Sequence, residues 1–120
     1  MRPRITRARL FLAALLAIAG TAHAHDYPTS ERVIYVQSCM HEHPGGYYEM
    51  LNKCSCVIDT IAREVPFDDY ETMSTATKAT SIGGERGSYI RDVESLQVQI
   101  RKFRQLQAKA RQSCLLDAPH

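Results

Sequence analysis

The chain has 120 residues, 44% of them hydrophobic, with 15 Lys and Arg against 13 Asp and Glu. Such a length and mix allow one small globular domain and exclude a multidomain or low-complexity protein. The formal charge of +2 is misleading, because residues 1–24 hold four arginines (Arg2, Arg4, Arg7, Arg9) and no acid. Without them 11 basic groups face 13 acidic ones, a balance near −2, and a nucleic-acid partner loses its electrostatic basis.

Behind the charged head runs an apolar stretch from Leu10 to Ala19, followed by Gly20 and the small-residue exit Ala22-His23-Ala24. This order predicts a cleavable secretory signal over residues 1–24 and a single domain over 25–120. The apolar run is about half of what a bilayer span needs, so no lasting membrane association is expected after cleavage. The cut is expected after Ala24, with Ala22 as second choice. A Gram-negative periplasm is the expected destination, and release outside the cell stays open.

In chain order, residues 25–29 read as a disordered lead-in, with Thr29 or Ser30 as a helix cap. A first helix is predicted over 30–42, turning Val33, Val36 and Met40 inward with Ile34 close by. His43-Pro44-Gly45-Gly46 breaks it. A second helix, over 47–65, carries the clearest period: Tyr47, Leu51, Cys54, Ile58, Ile61 and Val65 recur at alternating spacings of four and three. Pro66 ends it. Asp68 or Asp69 then caps a third helix over 69–82, with Tyr70, Met73 and Thr77 inward.

Gly83-Gly84-Glu85-Arg86-Gly87 reads as a turn-rich connector, lacking the spacing and preceding strand of a phosphate loop. A last helix over 89–114 places Val93, Leu96, Ile100, Phe103, Ala110 and Cys114 inward, with Asp92 as a cap. Helices joined by short loops predict an all-α fold, a small antiparallel four-helix bundle.

Four cysteines, Cys39, Cys54, Cys56 and Cys114, follow the export signal. An even set in a small exported domain predicts two disulfides, each contributing about 2–4 kcal/mol to a thin stability margin. On a helix Cys54 and Cys56 lie about 200° apart, so a bond between them is strained and each must reach elsewhere. Cys39–Cys54 with Cys56–Cys114 is favoured, and the swapped pairing remains open.

Met40, His41 and His43, beside the cysteines, gather soft and imidazole groups of the kind that hold copper. A cut after Ala22 adds a His-Ala-His amino terminus of similar chemistry. The favoured expectation is nonetheless no cofactor and no metal, because disulfides consume the thiolates. A thiol–disulfide redox protein is a further alternative, although Cys54 and Cys56 lack the Cys-x-x-Cys spacing at a helix start. Asp68, Asp69 and Glu71 are explained by the positive end of a helix dipole, without acid–base work.

Arg101, Lys102, Arg104, Lys109 and Arg111 give the last helix a basic outer face, with no acid between Glu94 and Asp117. Arg86 and Arg91, in the polar stretch before it, are candidates to bind a partner's carboxylates.

Tyr35-Val36-x-x-Cys39-Met40, Cys54-Ser55-Cys56-Val57-Ile58-Asp59 and Gly84-Glu85-Arg86-Gly87 resemble strings in a group of uncharacterised small exported four-cysteine helical proteins. Some of that group lie beside quinoprotein alcohol dehydrogenase genes. The likeness spans most of residues 33–114 and implies an accessory periplasmic role, with no ligand and no catalytic residue. The sequence thus predicts a non-enzymatic accessory protein that binds an unidentified periplasmic protein through Arg86, Arg91, Arg101, Lys102 and Arg104. The alternatives are copper binding or delivery through His41, His43 and Met40, and thiol–disulfide exchange.

Overall fold

A computed structural model describes residues 26–117. The predicted signal segment, with both candidate cleavage points, lies outside the described residues. Among those described the fold is all helical, with five helices and no strand: α1 Thr29–Glu42, α2 Tyr47–Glu64, α3 Phe67–Ala79, α4 Gly84–Asp92 and α5 Glu94–Ser113. No helix among them is long and apolar enough to cross a membrane.

The sequence predicts four helices, and the fifth arises from the glycine-rich connector. Gly84 sits at φ 76°, a left-handed conformation that costs glycine nothing. Gly87 is buried, and a Cβ there would overlap the Ile82 carbonyl oxygen. The glycines that read as punctuation let a helix start hard against the preceding turn. α4 ends at Val93, extended at φ −84° and ψ 108°, so the predicted helix over 89–114 is two helices. Val93, rather than Asp92, takes the N-cap position of α5, and its carbonyl accepts the Leu96 and Gln97 amides at 3.1 Å each.

The other starts also differ from expectation. Pro28 precedes α1, and its carbonyl takes the Glu31 and Arg32 amides, while Thr29 and Ser30 are already helical. Pro66 takes the same position before α3, leaving Asp68 and Asp69 in the first turn near the positive end of the helix. Proline suits these places because it brings a fixed φ and no amide to satisfy.

The lead-in is anchored at Tyr27. Its side chain is 2% exposed, and its hydroxyl donates to the Val65 carbonyl at 3.0 Å. The ring packs against Phe67 and Tyr70 at centroid distances of 5.3 and 5.0 Å, and Tyr70 meets Phe103 at 5.7 Å. Arg32 lies over the Tyr27 ring, 5.7 Å from its centroid. An aromatic chain thereby ties the start of α1 to α3 and α5.

α2 supplies much of the core. Met50, Cys54, Val57, Ile58, Ile61 and Ala62 are its buried residues, a face turned toward Met50 and Val57 from the predicted stripe. Tyr47 is consequently 64% exposed, and Val33 of α1 is 49% exposed rather than inward. α1 and α5 pack on α2, while α3 and α4 pack on α5.

Both disulfides form in the favoured pairing, Cys39–Cys54 and Cys56–Cys114, with Cα separations of 5.9 and 5.8 Å. Cys54 reaches α1 and Cys56 reaches the end of α5, as their divergence on α2 requires. Formed disulfides fit an oxidising compartment.

α5 closes with a Schellman turn in which the Leu116 amide bonds the Arg111 carbonyl and the Leu115 amide bonds that of Gln112. Leu115 occupies the left-handed position at φ 56°, where glycine is usual. Its side chain carries a cost of roughly 1–2 kcal/mol. Burial of the flanking Cys114 and Leu116, each 7% exposed, holds it there.

Candidate binding surfaces

α4 buries only Gly87, and none of its side chains joins the hydrophobic core. Arg86 and Tyr89, three residues apart, lie on one side of the helix, and Tyr89 is 72% exposed. Arg91 is exposed in the last turn. A weak hydrogen bond from Gln97 to the Ile90 carbonyl, 3.5 Å, links α4 to α5.

The basic residues of α5 do not form one face. Lys102 and Arg104, two residues apart, project about 160° from each other around the helix. Lys109 reaches Glu64 at the end of α2, 3.0 Å away, and Arg111 pairs with Asp117 at 3.0 Å. Arg101 binds Glu94 at 2.9 Å, with both side chains largely exposed. Arg86, Arg91, Lys102 and Arg104 have no carboxylate partner among the described residues, so four of the five predicted partner-binding cations remain uncompensated. Counting charges along the sequence could not separate these groups, since the pairing acids lie a turn or more away or on another helix.

A second feature is an apolar groove of about 630 Å³ between α1 and α2. Val33, Val36 and Met40 line one side; Tyr47, Leu51 and Ile58 line the other. Among the described residues its charged lining consists of Arg32 and Asp59, which pair with each other. The sequence assigns these apolar residues to the core. The signal it contained was the excess width of the apolar arc on α2, where Tyr47 and Leu51 lie outside the buried face that Met50, Val57 and Ala62 complete.

A narrower cleft of about 330 Å³ opens between α1, α3 and α5, with Tyr35, Tyr70 and Phe103 among its lining residues. Burial raises the pKa of both tyrosines, keeping the phenols protonated. The cleft's polar groups are largely engaged with neighbours: Lys78 with Glu31 at 3.9 Å, Arg111 with Asp117, and Ser74 and Thr77 with carbonyls of their own helix. No buried side-chain nitrogen or oxygen among the described residues lacks a partner.

The copper alternative finds its residues dispersed. His43 lines this cleft, Met40 lines the groove, and His41 is exposed. Among the described residues no three His, Cys, Asp or Glu side chains gather as a metal site would require. The thiol pair invoked for redox chemistry is divided between the two disulfides, and Cys54 has no exposed surface.

Comparison of the chain with protein-family models, with characterised proteins and with solved structures returns no match.

Proposed function

We propose that this is an exported, non-enzymatic accessory protein of the periplasm that docks an acidic partner protein through α4 and the neighbouring cations of α5. The observation that carries the reading is α4 itself. Nine residues are held in a helix that gives the core no side chain and turns Arg86, Tyr89 and Arg91 outward. Tyrosine and arginine are the residue types that most often dominate protein interfaces. Uncompensated cations at Lys102 and Arg104, on opposite sides of α5, add to the positive field that would steer an acidic partner toward this end of the molecule.

α4 is placed by its packing on α5, whose far end Cys56–Cys114 ties to α2. A partner meeting a pre-ordered surface loses less entropy on binding than one that must order a loop. The test is affinity capture from periplasmic extract with the mature, oxidised protein and with the double variant Arg86→Glu/Arg91→Glu. A partner recovered by the wild type, lost at high salt and lost with the variant supports the reading. Equal recovery by both proteins, at an unchanged melting temperature, removes it.

A further inference from the structure

We infer that the cleft between α1, α3 and α5 is a binding site for a small, neutral aromatic compound carrying a carbonyl oxygen, with the Tyr70 hydroxyl as the donor to that oxygen. α4 contributes no residue to the cleft, so the inference does not depend on the proposed partner contact.

The observation that carries it is the state of Tyr70. The residue is 3% exposed, yet its hydroxyl has no hydrogen-bond partner among the described residues. Every sealed side-chain oxygen among them does have a partner, so the Tyr70 hydroxyl reaches open space, and the space that Tyr70 lines is this cleft. Burial keeps the phenol protonated, with an O–H to give. The other α3 hydroxyls of the cleft are spent: Ser74 donates to the Glu71 carbonyl at 3.2 Å and Thr77 to that of Met73 at 2.9 Å. On the opposite walls Gln107 engages Tyr35. One buried donor is left for whatever enters.

Size, lining and charge choose the rest of the ligand. A volume of about 330 Å³ lies at the small end of ligand pockets and suits one or two fused rings. Tyr70 and Phe103 meet edge to face at 5.7 Å and Tyr35 adds a third ring from α1, a lining that favours a flat aromatic molecule. His43 apart, two acids, Glu31 and Glu42, stand against two bases, Lys78 and Arg111, so no net field draws in an ion. Both bases already hold acids, at 3.9 and 3.0 Å. A neutral ligand with no acceptor would shut water away from the Tyr70 hydroxyl and leave it unsatisfied, which is what selects for an oxygen. The walls are set in advance, since Cys39–Cys54 ties α1 to α2 and Cys56–Cys114 ties the end of α5 to the same helix.

NMR titration of the mature, oxidised protein tests the inference with two probes: 2-acetylnaphthalene, and 2-isopropylnaphthalene, which has a methyl group in place of the carbonyl oxygen. The expected result is saturable shifts at the amides of Tyr35, Tyr70 and Gln107, with the ketone binding about tenfold more tightly. Tyr70→Phe should remove that preference and leave the melting temperature unchanged, because the hydroxyl it deletes bonds nothing in the protein. Ser38→Trp, at an exposed position on the α1 wall, should block both probes without touching the core, and it decides the matter should Tyr70→Phe fail to fold. Absence of saturable ketone binding overturns the inference, as does equal affinity for the two probes. A preference that survives Tyr70→Phe, ketone binding that Ser38→Trp leaves intact, or shifts confined to the α1–α2 groove overturn it equally.

Discussion

α2 and α4 are both helices, yet they stand in opposite relations to the rest of the molecule. α2 buries six residues and carries one cysteine of each disulfide, whereas α4 buries a single glycine and carries neither. A small domain has little core to share, and this one concentrates it around a cross-linked helix. That concentration leaves α4 free to be shaped by what it presents rather than by what it packs against.

The contrast can be broken most severely at the sulfurs. Replacing Cys56 and Cys114 by alanine opens a 58-residue separation and is expected to cost about 4 kcal/mol in the chain-entropy account. Replacing Cys39 and Cys54, separated by 15, is expected to cost about 3 kcal/mol. Urea unfolding of the two double variants should rank them in that order. Ile61→Ala, at a site with no exposed surface on α2, should cost about 3 kcal/mol by the same measurement.

Alkali probes the aromatic chain that joins α1 to α3 and α5. Burial pushes the Tyr27 phenol up to about 12 from its ordinary value of 10.0. The unfolded chain therefore loses this proton before the folded one, and stability that is intact below pH 10 falls as pH rises from 10 toward 12. Tyr27→Phe should flatten part of that fall in a series of thermal melts, while losing about 1 kcal/mol at neutral pH with the bond to Val65.

Two smaller effects sharpen the comparison. Leu115→Gly relieves the left-handed strain at the end of α5 and is expected to stabilise by about 1 kcal/mol in urea titration. Gly87→Ala pushes a methyl group into the Ile82 carbonyl. Because α4 contributes no side chain to the core, the global unfolding free energy should shift by less than about 1 kcal/mol. Trypsin cleavage after Arg86 and Arg91 in the folded protein should nevertheless accelerate, reporting that α4 alone has come loose.

Much of the helical architecture is legible in the sequence because periodicity and proline positions are local properties. The disulfide pairing is legible for a related reason: helix geometry sends Cys54 and Cys56 to different neighbours. α4 was hidden because its glycines signal a break, and only the approach to Ile82 shows that they permit a helix. Tyr27 was hidden because one aromatic residue ahead of a proline has no period to betray its burial. Val33 and Tyr47 show the converse limit. An apolar stripe says that a face avoids water, and it does not say which neighbour will cover it. The cations of α5 were countable, but Glu64 and Asp117 reach them only through the fold.

The sulfur bonds join first to second and third to fourth along the polypeptide. If the chain is exported as proposed, threading amino end first through a translocation pore shows Cys39 and Cys54 to an oxidant while Cys114 is still far behind. Oxidation in order of appearance then yields the native connectivity directly, provided that the turn of α2 holds Cys56 away from Cys39. Maturation on that schedule calls for an oxidant and has no need of an isomerase.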